Sequence, residues 1–408
     1  AHATRCLARP VRVRARACTA RVTPAQMSMT AVASAAWTPS YPTTTTRHRA
    51  WKKPDGVRCS RTRRNQNTRA FASADAPSAV PVDPCLFVRA AVARATDSGH
   101  FVIPAARVAE LAETRGLQAT DLLPEFVREA QKLAIPPTSR FHVGAAALGE
   151  SGAVFLGVNV ELPGLPLNAS IHAEQFAVVT AMRFGEKKLS AIATTAAPCG
   201  HCRQFMNELR DAKTLRVIIP GDDSDNQMKL GMQLILPLAD LLPHSFGPLD
   251  LTHDDAAPLL LETRHNGLRV LAAFEKEKKT DVADVEINTA TALALSEANV
   301  AYAPYSQSPA GLVLVTKTGQ AFPGRAVESA AYNPTMSPLH VSLCAAVSTG
   351  GLGNTSDKGG GGWSRLKTCV LVELPNAPVQ YAETTRMILK AIAPHVEVTV
   401  MHCERIEG

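Results

Sequence analysis

Between residues 84 and 220 the apolar positions change spacing several times, and each change marks an element. Cys85–Ala95 and Pro104–Arg115 carry short helical patterns. Pro104 suits a first turn, where no N–H partner is needed. A third helix is predicted over Asp121–Ala134, with Leu122, Leu123, Phe126, Val127, Ala130, Leu133 and Ala134 on one face. Two strand-like runs follow, Phe141–Leu148 and Ala153–Asn159, joined by Gly149-Glu150-Ser151-Gly152 as a glycine-containing hairpin. Ser170–Met182 reads as a helix, Leu189–Ala196 as a strand, Gly200–Arg210 as a helix and Leu215–Ile219 as a strand. This β-α-β-α-β alternation predicts a layered α/β/α domain with helices packed on a central sheet.

The pattern returns. Residues 139–161, SRFHVGAAALGESGAVFLGVNVE, lie without gaps on 306–328, SQSPAGLVLVTKTGQAFPGRAVE, at an offset of 167. Ser139/Ser306, Gly144/Gly311, Gly152/Gly319, Phe155/Phe322, Gly157/Gly324 and Glu161/Glu328 are identical pairs. Shared turn glycines and shared strand alternation predict a duplicated fold. Continued at the same offset, positions 172 and 174 fall on Leu339 and Val341; a local gap could instead bring His340 into line. Gly350–Gly362 is a glycine-rich surface insertion without a phosphate-loop pattern.

Composition alters the picture mainly at the N-terminus. Residues 1–74 hold 13 Arg and 2 Lys against the single acid Asp55, so a chain of net charge +7 has a body of net charge −7. A mildly acidic body gives no support for nucleic-acid binding. The basic segment is also rich in Ala, Ser and Thr and has no long apolar run. An organellar targeting segment for plastid or mitochondrion is one reading; a basic extension without fold, or a misplaced gene start, with the protein in the cytosol, is the other. Nine cysteines lie scattered except for the pair at 199 and 202, which argues for free thiols in a reducing compartment. No stretch is apolar for long enough to span a bilayer, so no membrane partner is expected.

Two motifs carry chemistry: His172-Ala173-Glu174 and Pro198-Cys199-Gly200-His201-Cys202. Both fall where a helix is predicted to start. Zinc takes nitrogen and sulfur ligands in tetrahedral array, and a catalytic site keeps one position open. His172, Cys199 and Cys202 make such a three-ligand set, and the nearby Glu174 is suited to proton transfer rather than ligation. A structural zinc knuckle needs a fourth ligand, for which only His201 offers itself. A redox Cys-x-x-Cys pair leaves the His-x-Glu helix unexplained. The paired motifs match the signature of zinc-dependent base deaminases.

The neighbouring stretches FHVGAAALG, GVNVE, IHAEQ, PCGHCRQFMNEL, HSFGPLDL, PYSQSPAG and ESAAYNPT resemble the nucleoside cytidine deaminases. The closer likeness is to their larger homodimeric form with a degenerate second domain. The resemblance implies a duplicated cytidine-deaminase-like fold, one Zn2+ per chain on His172, Cys199 and Cys202, and Glu174 as proton shuttle. It implies Phe141 against the pyrimidine, Asn159 and Glu161 on the ribose 3′-hydroxyl, and Phe246 reaching into a partner subunit's site. The expected divisions are a basic tail (1–80), a small helical segment (84–119), a catalytic domain (120–247) and a degenerate domain (248–408). The implied reaction is hydrolysis of cytidine and 2′-deoxycytidine to their uridine counterparts and ammonia, in pyrimidine salvage. Two alternatives stay open: a zinc deaminase of nucleotides or single-stranded RNA or DNA, and a non-catalytic zinc-binding scaffold. The polar Gly221–Gly231 stretch departs from the bacterial pattern and leaves loop geometry near Phe246 open.

Overall fold

The computed structural model describes residues 84–97, 101–220, 233–271, 282–352 and 362–406. The basic segment, Gly221–Gly231 and most of Gly350–Gly362 lie outside the described residues. The described chain opens with α1 (Pro84–Asp97), β1 (Val102–Ile103), α2 (Ala105–Arg115) and α3 (Ala119–Gln131). Helix α2 stops at Gly116, whose left-handed φ of 62° costs glycine nothing. Between the two helices expected in this small helical segment lies a short strand as well. Val102 and Ile103 pair antiparallel with Phe155 and Val154, and the Phe101 ring stacks on Phe176 at 5.6 Å. Two residues are too short a run to show alternation, so only the tertiary pairing reveals β1.

The first sheet comprises β1, β2 (Gly144–Gly149), β3 (Val154–Val158), β4 (Leu189–Thr194), β5 (Arg216–Pro220) and β6 (Gln233–Pro237), in the order β1-β3-β2-β4-β5-β6. Neighbours run antiparallel except β4 and β5. Helix α3 covers one face and α4 (Ala173–Arg183) the other. Both come unusually near. A Cβ on Gly144 would lie 2.5 Å from the Val127 carbonyl oxygen, and one on Gly157 would lie 2.1 Å from that of Ala173. The predicted strand at 141 begins only at Gly144, because Arg140 is left-handed (φ 57°) and the Asn159 amide holds 141–143 as a loop. The predicted helix at 200–210 ends at Met206 as α5 (Gly200–Met206), and Asp211 follows in left-handed conformation (φ 58°).

After α6 (Leu238–Leu241) and α7 (Pro248–Thr252) come β7 (Leu268–Val270), α8 (Val282–Asn299), β8 (Ala310–Thr316), β9 (Ala321–Arg325), α9 (Pro338–Ser348), β10 (Leu366–Glu373), α10 (Ala382–Ile392) and β11 (Glu397–Arg405). The second sheet has the order β7-β11-β10-β8-β9, again with one parallel pair, β10 and β11. Gly311 meets Ala294 of α8 and Gly324 meets Pro338 and Ser342 of α9, as Gly144 and Gly157 meet α3 and α4. The duplication expected from the 167-residue offset is therefore a duplication of packing.

The offset then shortens. Val160 bridges Ile135 and Ile171; Val327 bridges Tyr302 and Met336. The first two positions differ by 167 and the third by 165, so the copy is shorter by two residues before its helix. Ser337, not Leu339, consequently stands where His172 stands, and Leu339 takes the place of Glu174. His340 does not come into line. It is bonded to Ser337 Oγ (2.8 Å) and to the Ala169 carbonyl (3.1 Å).

The two copies share one apolar core running from Val88 to Val396, with α4 against α9. Polar ties cross the same boundary. Buried Glu208 accepts from Tyr302 Oη (2.9 Å), Tyr305 Oη (2.5 Å) and Ala330 N (2.7 Å), which meets the requirement that a buried carboxylate be fully hydrogen-bonded.

Candidate metal centre and active site

His172 is the residue just before α4, with extended backbone (φ −86°, ψ 150°), and Cys199 stands likewise before α5 (φ −69°, ψ 167°). Cys202 follows three residues after Cys199, in the first turn of α5. Two helix N-termini thus converge on one point, where their free N–H groups favour negative charge. The separations are 3.5 Å from Cys199 Sγ to His172 Nδ1, 3.3 Å from Cys202 Sγ to His172 Nδ1 and 3.7 Å between the two sulfurs. Tetrahedral zinc with ~2.3 Å bonds to sulfur and ~2.05 Å bonds to nitrogen has S···S edges of about 3.8 Å and S···N edges of about 3.6 Å. The trio therefore fits zinc as it stands, without rearrangement.

Its electrostatics agree. The Cys202 thiol and the His172 ring bring the Cys199 thiol down to about 3. The neighbouring sulfur and burial push Cys202 up, so the second thiolate calls for a cation. Burial raises the Glu174 carboxyl above its ordinary value, opposed by its own backbone N–H and by His172. Among the described residues no other group of three His, Cys, Asp or Glu side chains is placed to hold a metal ion. His201 is no ligand here; its ring stacks on that of His172 at 4.8 Å.

Two models of the cytidine and deoxycytidylate deaminase zinc-binding region match the chain, over residues 118–218 and 238–386. Cytidine deaminase 1 of Arabidopsis thaliana is 42% identical over 311 residues, which cover 75% of this chain and 99% of that protein. The chain belongs to the cytidine deaminase family. A cytidine deaminase of Shewanella amazonensis is 36% identical over 295 residues, 72% of this chain and 86% of the relative. The crystal structure of cytidine deaminase from Burkholderia pseudomallei matches with 33% identity and a TM-score of 0.26, over 29% of this chain and 93% of that one. Zinc is the metal of this family, and the His172, Cys199 and Cys202 cluster supplies the ligands it takes.

Phe141 is 59% exposed on the loop before β2. Asn159 Nδ2 donates to the Phe141 carbonyl (2.9 Å) and Asn159 Oδ1 accepts from Val143 N (2.8 Å), so Asn159 shapes the loop that carries Phe141. Glu161 Oε2 accepts from the backbone N–H groups of Thr138 (2.8 Å) and Ser139 (2.9 Å). Against the desolvation of burial, these Ser139 and Thr138 donors hold its carboxyl below the ordinary value. Glu328 Oε2 does the same for Tyr305 N (2.9 Å) and Ser306 N (3.1 Å), so this part of the Glu161 role belongs to the fold and not to catalysis. Phe246 lies on the loop before α7 with its ring half exposed; Gln204 and Asn207, from α5 and its C-terminal end, hold its carbonyl.

Gln175 escapes a sequence reading. Its Oε1 accepts from His172 N (3.4 Å) and its Nε2 donates to the Pro334 carbonyl (2.8 Å). The second copy thereby steadies the turn that presents His172. The available signal was its position three residues after the cap, where a glutamine can reach back.

Proposed function

We propose that the chain hydrolyses cytidine and 2′-deoxycytidine to uridine and 2′-deoxyuridine, releasing ammonia. The observation that carries this reading is the tetrahedral spacing of His172, Cys199 and Cys202 beside the buried carboxylate of Glu174. Zinc held there supplies a Lewis acid and makes a water acidic near neutral pH. Glu174 takes one proton of the water that adds at C4 and passes it to N3, then takes the remaining proton of the oxygen added at C4 and delivers it to the amine, which leaves as ammonia. Burial keeps this carboxyl in a dry setting and raises its basicity toward that task.

Phe141 stacks on the pyrimidine. Asn159 and Glu161 receive the ribose 3′-hydroxyl while they fix the 138–143 loop. The negative charge of Glu161 disfavours a phosphate at that end, which supports a free nucleoside over a nucleotide or polynucleotide. We assign residues 120–247 to the catalytic domain and 248–408 to the degenerate one. The exposed Phe246, Leu249 and Leu251 support a homodimer in which Phe246 reaches the partner's site. We place the reaction in pyrimidine salvage, and the basic, acid-poor segment 1–74 supports import into plastid or mitochondrion. Among the described residues no helix is long and apolar enough to cross a membrane.

Ultraviolet absorbance loss with cytidine, deoxycytidine, dCMP and a deoxycytidine-containing oligonucleotide tests the substrate. Loss is expected with the two nucleosides. Activity confined to dCMP or the oligonucleotide would overturn the reading.

A further inference from the structure

The second copy contains a cavity of 420 Å³, within the range of small-molecule sites. Its lining includes Tyr305, Glu328, Tyr332, Thr335, Val379 and Tyr381. Tyr305 and Glu328 occupy the positions of Thr138 and Glu161 at the 167-residue offset, and Glu328 ties down its loop as Glu161 does. Thr335 stands two residues before the cap Ser337, as Ser170 stands before His172. The cavity therefore sits in the copy where the substrate cleft is assigned in the catalytic half.

Its chemistry is not that of a void filled by evolution with apolar side chains. Three tyrosines face it, and the carboxylate of Glu328 is almost wholly buried at its wall. Tyr381 lines the cavity while only 6% exposed, and its hydroxyl is buried with no hydrogen-bond partner. Leaving such a group unpaired costs about 1–3 kcal/mol, so a small turn of the Tyr381 ring that brings its hydroxyl to a bound ligand is favoured. Among the described residues no Lys, Arg or His lines the cavity, and Glu328 opposes an anion. Aromatic walls favour a flat ring; a carboxylate and a free hydroxyl favour a ligand rich in hydroxyls.

We infer that the second copy binds an unphosphorylated pyrimidine nucleoside without turning it over. Binding without turnover follows from Ser337 and Leu339 standing where His172 and Glu174 stand in the first copy. The inference rests on the nucleoside reading of the first copy, since it transfers the ligand class between equivalent clefts.

Equilibrium dialysis of the zinc-loaded full chain with radiolabelled uridine reads it directly. Two uridines per chain are expected, and uridine monophosphate should fill neither site at the concentration where uridine fills both. Tyr381→Phe should weaken the second site about tenfold, and Thr335→Trp should remove it, both with cytidine turnover within about twofold of normal. One uridine per chain, or a second site that accepts the monophosphate equally well, overturns the inference. Full deamination with a single bound uridine sinks this site alone. Two bound uridines without deamination sink the deaminase reading and leave this site standing.

Discussion

The two copies share a backbone plan and part company at a helix cap. In both, a glycine on the inner hairpin strand lets one helix settle on the sheet and a second glycine admits the opposite helix. In both, a glutamate ties the loop ahead of that hairpin through two backbone N–H groups. Yet His172 caps α4 and Ser337 caps α9. The difference separates what a fold requires from what a reaction requires. Packing depends on many positions distributed along the chain; the chemistry proposed for the first copy depends on four side chains at two helix starts. Those four can be lost while the scaffold remains useful. Here it remains useful because Gln175, Glu208 and Ala169 of the first copy all bond to the second.

The sharpest way to break this contrast is at the proton carrier. Glu174→Gln should lower kcat about 10²–10⁴-fold while atomic emission still finds one zinc per chain. Cys202→Ala should lose the zinc together with the activity. Near-normal turnover in the Gln variant would sink the shuttle assignment.

The shared packing should respond alike in the two halves. Gly144→Ala and Gly311→Ala place a Cβ within 2.5 Å and 2.0 Å of helix carbonyl oxygens. Each should cost about 3 kcal/mol in a denaturant titration. If either is tolerated, the copies do not hold their helices in the same way.

The caps should respond differently. Ser337→Ala removes an acceptor for His340 N and should cost about 1 kcal/mol, leaving zinc content and turnover unchanged. A fall in zinc content would show that Ser337 serves the metal after all.

The smallest effect is one of acidity. The Glu161 carboxyl lies lower in the folded chain than its ordinary value of 4.5, so its ionised form adds stability above that value. That contribution is lost as pH falls through the lowered folded value. Thermal unfolding followed from about pH 6 to about pH 3 should show an acid-side decline that Glu161→Gln flattens. An equal decline in both proteins would remove Glu161 from the loop's stability.

Much of this was legible in the residues themselves. The predicted hairpin, the helices at 121 and 170 and the strands at 189 and 215 correspond to β2–β3, α3, α4, β4 and β5 within a few residues. Their periodicity reflects burial against a sheet, which local sequence records. The metal motif was legible because its ligands follow a fixed local spacing at helix starts. The ends of elements were not: Asn159 decides where β2 begins from 16 residues away. Strand β1 was hidden because its pairing partner lies on a hairpin some fifty residues on.

By itself the sequence determined that the chain repeats one α/β layer twice and that a single copy holds a zinc site with its carboxylate. Those properties are carried by residue type and spacing along the chain. Only the tertiary structure decided that the three ligand atoms stand at zinc-fitting distances, that Ser337 and not His340 replaces His172, and that the second copy braces the first through Gln175 and Glu208. It also revealed a tyrosine-lined cavity in the copy that lacks the metal ligands. Distances, shortened loops and buried partners depend on residues far apart in the chain, and they become defined only when the two copies pack into one core.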